Sequence, residues 1–403
     1  MTKGKDSKPH IGIFGRRNSG KSSFINSIVG QDVAIVSENA GTTTDPVKKS
    51  LEIFGIGPAI IIDTAGIDDE GKLGKMRVDK SLEAIKTVDA AILMISENSF
   101  DVYEIGLIKR FNNLDVPFLI IHNKSDFEEI SNKTIEKIEN YTQSPIINFS
   151  VKHPDKSEEV INLIKKIIPE TAYQSVSLLG DLLSKDDIVL LITPIDSEAP
   201  EGRMILPQVM AIRDILDNEC VSIVVTEKAV KHFLEKTKIK PKLAVTDSQA
   251  FELVKKLIPE NIPLTSFSIV FARMKGNFKQ YIKGTKFIPE LKNGDRILIL
   301  ESCSHRISCE DIGRYKIPKW LRNFTGKSLE FDVVSGLNKL DRNINKYSMV
   351  IQCGGCVATR KQLQNRLKPA IDAGIPVSNY GMTIAFINGI FERAIMPFKN
   401  TTF

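Results

Sequence analysis

From Ile11 to about Ile168, short apolar runs alternate with amphipathic stretches. Ile11 to Phe14, Ala59 to Ile62, Ala90 to Ile95, Pro117 to Ile121 and Ile146 to Phe149 predict buried strands. Val/Ile-rich runs separated by helical patterns predict a parallel sheet covered on both faces. Pro169 ends the last helical pattern, and Glu170 to Ser177 reads as a linker. The rhythm then restarts. Asp187 to Ile192, Val221 to Val225 and Leu243 to Val245 predict strands, with Leu264 to Phe271 as a fourth. The second and third of these run into Thr226-Glu227 and Thr246-Asp247, where Thr or Asp would cap the helix that follows. From about Met274 the pattern resumes, with strands at Arg296 to Leu300 and Ser348 to Ile351. A helix from Thr359 to about Ala373 follows, closed by Gly374 and Pro376. The expected fold class is α/β in three domains, bounded at 1–170, 177–272 and 273–403, the first with a mostly parallel sheet.

Composition changes this picture little. A chain of 403 residues exceeds what one core usually supports, and 42% hydrophobic with 26% charged residues is ordinary for a globular protein. The net charge of +6, from 55 basic and 49 acidic residues, is spread without a dense basic run, so no nucleic-acid partner is expected. The segment Met1 to His10 lacks the apolar core of a signal peptide, and no run of eighteen apolar residues occurs. A cytoplasmic location without a membrane partner is the expectation. The five cysteines are Cys220, Cys303, Cys309, Cys353 and Cys356, a low and odd count that argues against a secreted disulfide scaffold. Cys220 adjoins a buried strand and reads as a core thiol.

Candidate chemistry begins at Gly15-Arg16-Arg17-Asn18-Ser19-Gly20-Lys21-Ser22, a P-loop pattern set between a strand and a helix. Its amides and the helix N-terminus would meet phosphate charge. Lys21 would reach the β and γ phosphates, Ser22 would bind magnesium, and Ser23 is a further expected GTP-binding residue. Asp63-Thr64-Ala65-Gly66 ends the next apolar strand, which sets Asp63 beside the metal and the Gly66 amide at the γ phosphate. Asn123-Lys124-Ser125-Asp126 ends a later strand, where the Asp126 carboxylate can accept from guanine N1 and N2. Ser150-Val151-Lys152 ends the strand after that, with its backbone placed for the guanine oxygen. Four motifs in order, each at a strand's carboxyl end, match the ligand edge of an open α/β sheet and predict a GTP hydrolase. Lys21, Thr43, Asp63 and Gly66 are its candidate catalytic residues.

Gly41-Thr42-Thr43-Thr44-Asp45 occupies the switch I position, and Thr43 is the expected magnesium-sensing hydroxyl. This segment resembles the tRNA-modification and ribosome-assembly GTPases of the TrmE and Era type. That resemblance implies a potassium ion held partly by Asn18. TrmE-like enzymes position water with a Glu downstream of the DTAG motif, but here Gly74 falls at that place and Glu70 is offset. Slow, potassium-stimulated hydrolysis is therefore expected.

Cys353-Gly-Gly-Cys356 places two thiolates within reach of one metal centre, and Cys303 ends another predicted strand. A parallel sheet could gather all three at one edge. Three cysteines suit an iron–sulfur cluster with an open fourth position. With His305 they equally suit structural zinc, and simple reduced thiols without metal are the third alternative. Cys309 reads as a bystander, and Arg360 and Lys361 as either a solvated helix turn or counter-charges for an anionic cargo.

The GTPase head, the middle α/β region and the terminal Cys-x-His and Cys-x-x-Cys motifs together resemble the HydF family of FeFe-hydrogenase maturation GTPases. The carriers of the likeness are Gly41 to Pro46, Cys303-Ser-His305 and Cys353 to Cys356, with 46 residues between His305 and Gln352. The resemblance implies a 4Fe-4S cluster on Cys303, Cys353 and Cys356, and a middle domain that makes a homodimer. It also implies a scaffold that takes a transient diiron precursor from two radical-SAM maturases to the apo FeFe-hydrogenase. Many members carry His where this chain has Gln352, so His305, Glu301, water or the precursor remain as fourth ligands. The alternative is a TrmE-like RNA-modification or ribosome-associated GTPase with a zinc domain.

Overall fold

A computed structural model describes residues 8–28, 33–39, 46–53, 57–169, 172, 177–194, 204–302, 311–336, 342–355 and 358–399. The chain divides into two compact units, Met1–Ser175 and Val176–Phe403.

In the first unit the described strands are β1 (His10–Gly15), β2 (Val33–Asn39), β3 (Val47–Ile53), β4 (Gly57–Asp63), β5 (Ala90–Ser96), β6 (Phe118–Asn123) and β7 (Ile146–Asn148). They form one sheet in the order β2-β3-β4-β1-β5-β6-β7. The five strands expected from apolar runs are present and pair in parallel. β2 and β3 were not anticipated, and they pair antiparallel along the edge next to β4. Their absence from the sequence reading has a physical reason. A strand with one wetted face mixes Lys, Ser and Glu with its apolar positions, as in Val47–Ile53, which lies between β2 and β4, and gives no continuous apolar run. Helices α1 (Lys21–Ile28), α2 (Gly71–Ala84), α3 (Val102–Asn113), α4 (Asn132–Glu139) and α5 (Ser157–Ile167) cover the sheet. Ile11 and Ile13 pack on one face with Phe24, Ile25 and Phe149, whereas Phe14 packs on the other with Leu107, Ile108 and Phe111. That alternation along β1 anchors the phosphate loop from both sides.

The second unit holds two four-stranded parallel sheets. The first joins β8 (Ile188–Ile192), β9 (Val221–Val225), β10 (Leu243–Thr246) and β11 (Leu264–Ser266) in the order β11-β10-β8-β9. The second joins β12 (Arg296–Leu300), β13 (Glu330–Val334), β14 (Met349–Gln352) and β15 (Val377–Asn379) in the order β13-β12-β14-β15. One hydrophobic core runs through both, from Val189 and Val245 to Ile299 and Ile351. Its helices include α6 (Leu206–Asp217), α7 (Val230–Thr237), α8 (Phe251–Leu257), α9 (Phe267–Lys275), α10 (Phe278–Thr285), α11 (Ile317–Thr325), α12 (Arg360–Asp372), α13 (Tyr380–Ile387) and α14 (Phe391–Ile395).

The apolar run expected as one strand from Leu264 to Phe271 is split. Only Leu264–Ser266 is strand, and Ser266 then caps α9 by accepting from the Ile269 amide at 3.3 Å. A helix buried around most of its girth carries the same continuous apolar signal as a buried strand, so periodicity could not separate them. α12 keeps its expected limits because Thr359 and Gln362 form a reciprocal capping box. Cys220 is buried, and burial pushes its thiol up from the ordinary value.

Candidate functional site

The phosphate loop leaves β1 through Gly15 and enters α1 after Gly20, and both glycines have positive φ. At Gly20 a side chain would collide with the Asn123 amide, 2.2 Å from the position of its first carbon. Asn123 ends β6 and donates to the Ser19 carbonyl at 2.9 Å, so the Asn-Lys-Ser-Asp motif braces the phosphate loop. Lys21 is only 8% exposed, and its ammonium donates to the carbonyls of Arg16 at 2.7 Å and Gly15 at 3.2 Å. Burial pushes it below its ordinary value, against the pull of Asp63 and Asp68. Ser22 donates its hydroxyl to the Asp63 carboxylate at 2.6 Å. The two expected magnesium ligands, one from a helix start and one from a strand end, thus face each other. The hard-oxygen chemistry of this pair fits magnesium.

Gly66 lies against Arg17, whose backbone nitrogen is 2.6 Å from where a side chain would begin, so the turn after Asp63 admits only glycine. Thr64 ties that turn to β1 by donating to the Ile13 carbonyl at 2.6 Å. Asp126 accepts from the Ser150 hydroxyl at 2.7 Å and faces the Lys152 ammonium at 3.4 Å. The Ser150 hydrogen bond, then Lys152, hold its carboxyl below the usual range and keep it an acceptor. Lys124 takes positive φ and reaches Glu97 at 2.9 Å. Asn18 also has positive φ, at the crest of the loop, and with Arg16, Ser19, Glu97 and Lys124 it lines a cavity of about 320 Å³. Thr43 and the rest of Gly41–Asp45 lie outside the described residues.

One contact here had no sequence signature. Arg16 forks onto Glu104 at 2.8 and 2.9 Å and reaches Asp101 at 2.6 Å, while lying 5.0 Å from the centre of the Tyr103 ring. Glu104 is 1% exposed and also caps α3. The loop residue whose carbonyl holds Lys21 is therefore bound to the start of α3.

In the second unit, β12 and β14 are neighbours with Leu300 opposite Gln352. The residues just beyond them consequently share one sheet edge. Cys353 donates its amide to the Leu300 carbonyl at 3.0 Å, and its sulfur accepts from the Ser302 amide at 3.0 Å. Cys303, His305 and Cys356 lie outside the described residues, which alone gather no group of three metal-ligating side chains. What is described fits a thiolate centre: an amide aimed at sulfur, at the meeting point of two cysteine-bearing segments.

Glu301 is buried and its carboxylate is taken by Arg314, at 2.8 to 3.2 Å, and by the Ser335 hydroxyl at 2.6 Å. Gln352 is fully buried. Its carbonyl accepts from the Tyr281 phenol at 2.5 Å, and its amide donates to the Leu363 carbonyl at 3.3 Å. Alternation along β14 turns this side chain into the core, away from the neighbouring Cys353. Arg366 on α12 donates to the carbonyls of Glu301 and Val334, at 2.5 and 2.6 Å, and pins the ends of β12 and β13. Burial holds its guanidinium below the ordinary value while the nearby Cys353 sulfur pulls the other way.

Three family models match the chain. They are the hydrogen maturase F dimerization domain over residues 178–276, the hydrogen maturase F tetramerization domain over 279–397, and the 50S ribosome-binding GTPase over 10–124. GTPase Der of Campylobacter hominis is 34% identical over 160 residues, covering 39% of this chain and 34% of that protein. The tRNA modification GTPase MnmE of Nitrosomonas eutropha is 30% identical over 170 residues, covering 42% and 36%. The chain thus spans about a third of the length of these relatives. A solved structure of Aquifex aeolicus Era bound to GDP and tetrafluoroaluminate aligns with a TM-score of 0.33 at 19% identity, covering 54% of this chain and 92% of that one.

Proposed function

The chain belongs to the hydrogen maturase F family, and from that premise we propose that it is a GTP-hydrolysing scaffold for metal-cofactor assembly. It binds a 4Fe-4S cluster through Cys303, Cys353 and Cys356, receives a diiron precursor from two radical-SAM maturases, and delivers it to the apo FeFe-hydrogenase. The observation that carries this reading is the Ser302 amide on the Cys353 sulfur. It sets Ser302, the residue before Cys303 in the sequence, against Cys353, the first cysteine of the Cys-x-x-Cys motif, at the edge of one parallel sheet. A cluster bound there supplies an iron position open to exchange. The protein supplies three thiolates and amide donors to sulfur.

At the other site Lys21 carries charge to the transferred phosphate, Ser22 and Asp63 hold magnesium, and Asp126 selects guanine. Thr43 senses the γ phosphate. A potassium ion beside Asn18 adds positive charge to the transition state. Turnover is slow, because Glu70 sits exposed at the start of α2 and Gly74 offers no side chain to orient water. Self-association follows from the two matched domains, with the middle region at 177–272 as the dimer module and 273–403 as the cluster module. Action in the cytoplasm completes the reading. Among the described residues no helix is long and apolar enough to cross a membrane.

Anaerobic reconstitution with iron and sulfide, metal analysis and EPR test the cluster. The expected result is a 4Fe-4S signal that disappears with Cys303→Ala plus Cys353→Ala while GTP turnover persists. Zinc as the only metal, or cluster uptake indifferent to those substitutions, overturns the reading in favour of a zinc-bearing RNA-associated GTPase. For the first unit, faster GTP turnover in potassium than in sodium is expected. Equal rates remove the role given to Asn18.

A further inference from the structure

The chain leaves β5 through a turn from Ser96 to Ser99, closed by the Ser99 amide on the Ser96 carbonyl at 3.0 Å. Its central residues, Glu97 and Asn98, both have positive φ, at 54° and 53°, as a type I′ turn requires. Asparagine tolerates that conformation better than most side chains do. Asn98 also spends every polar group it has on the segment between β6 and α4. Its side-chain amide donates to the Glu128 carboxylate at 2.8 Å and to the Glu129 carbonyl at 3.1 Å. Its side-chain oxygen accepts from the Ser131 amide at 2.8 Å, and its backbone amide donates to His122 Nε2 at 3.3 Å. Glu97, the other central residue, accepts from the Lys124 ammonium at 2.9 Å.

Asp126 stands between these two grips, with Lys124 two residues before it and Glu128 two residues after. The end of β7 holds the same segment from another side, through Ser150 on Asp126 and through Asn148, which accepts from the Ile130 amide at 3.1 Å. Phe127, Glu128 and Glu129 are exposed, so apolar burial does not fix this stretch. Hydrogen bonds from the turn take that part. Ser131, whose amide Asn98 receives, is itself the N-cap of α4. His122 is fully buried, and burial holds its ring below the ordinary value, so its Nε2 stays an acceptor for Asn98. A hydrogen bond weakens steeply once donor and acceptor leave their best geometry, so a small drift of Asp126 costs contact with a bound base.

We propose that Asn98 is a positioning residue for the base site, holding the segment that carries Asp126 where its carboxylate bonds both N1 and the 2-amino group of guanine. This rests on the reading of Asp126 above as the guanine selector. The experiment titrates the full chain with GTP and with inosine triphosphate, whose base lacks the 2-amino group. Asn98→Gly removes three side-chain hydrogen bonds and suits the positive φ, so the turn persists. The parent binds GTP more tightly than inosine triphosphate. In Asn98→Gly the affinity for GTP falls about tenfold, the inosine nucleotide loses less, and the preference narrows. Turnover at saturating GTP changes little, so the loss falls on KM rather than kcat. The second variant is Asn98→Asp, which keeps the acceptor for Ser131 but sets a carboxylate against Glu128. Adding Glu128→Gln restores a donor and acceptor there with their roles exchanged, and part of the preference for GTP returns. A preference unchanged in Asn98→Gly overturns the proposal, whether or not overall affinity falls. Should Asn98→Gly not fold, as judged by its melting temperature, the second pair decides by the same ratio, and no recovery overturns the proposal. A parent that binds the two nucleotides alike refutes the reading of Asp126 itself, an outcome distinct from a discriminating parent whose variant discriminates equally well.

Discussion

The Tyr281 phenol donates to the side-chain carbonyl of Gln352 at 2.5 Å, and both residues are buried to within 1% of full exclusion from solvent. The bond joins α10 to Gln352, the last residue of β14, immediately before Cys353. It also settles where position 352 looks. The side chain before the cysteine pair is part of the core, and the backbone then turns the next residue to the sheet edge.

Tyr281→Phe removes this donor and leaves a buried amide oxygen without it. The expected cost is about 1–3 kcal/mol, the range for an unsatisfied buried polar group. Chemical denaturation followed on the second unit checks this, and a midpoint unchanged from the parent contradicts it. Burial keeps the phenol well above its ordinary value, so no ionisation of Tyr281 contributes.

At the guanine site, Asp126→Asn exchanges an acceptor-only carboxylate for a group that presents a donor. If Asp126 holds guanine N1 and N2 as proposed, two charge-assisted hydrogen bonds are lost, and GTP binding weakens by about a hundredfold or more. Xanthosine triphosphate, whose ring offers an oxygen in place of the amino group, is retained better. Nucleotide titrations with both ligands decide the matter, and an undiminished GTP affinity would remove Asp126 from base recognition.

Asp63 gives a pH signature. Burial holds its carboxyl above the ordinary value despite the Ser22 hydroxyl and the Lys21 ammonium. Between the ordinary aspartate value of about 4 and the raised one, the folded state keeps a proton that the unfolded chain has released. Stability from this group is therefore largest below that interval and falls as pH rises through it. Unfolding midpoints of the nucleotide-free protein across this range should show the slope. Asp63→Asn should flatten it and abolish magnesium-dependent nucleotide retention.

Arg16→Ala strips the guanidinium from Glu104, which is 1% exposed. Leaving a buried carboxylate without its partner costs on the order of 3 kcal/mol. The same change frees the phosphate loop from α3, so nucleotide affinity should fall although Arg16 is not placed on the phosphates. Arg16→Ala with Glu104→Gln should recover part of the stability. If the double substitution is no more stable than Arg16→Ala alone, the ion pair is not what couples the loop to α3.

The amino-acid sequence by itself determined the βα rhythm and the phosphate and base motifs. It also determined the two places where cysteines follow apolar runs, because continuous Val/Ile runs and motif spacing are local signals. Gly66 and Gly20 were legible as motif positions, and the structure adds the close approaches to Arg17 and Asn123 that require them. The β2–β3 edge was hidden because its wetted face breaks the apolar run. The Phe267–Lys275 helix was hidden because burial on all sides erases the difference between periods. Only the tertiary structure decided which residues support the sites. Lys275, Tyr281, Arg366 and Glu104 are 65 to 88 positions from the partners Gly355, Gln352, Glu301 and Arg16. No local pattern encodes such pairings. They exist because parallel strands place distant chain segments at one carboxyl edge, and the helices packed on that sheet deliver their charges there.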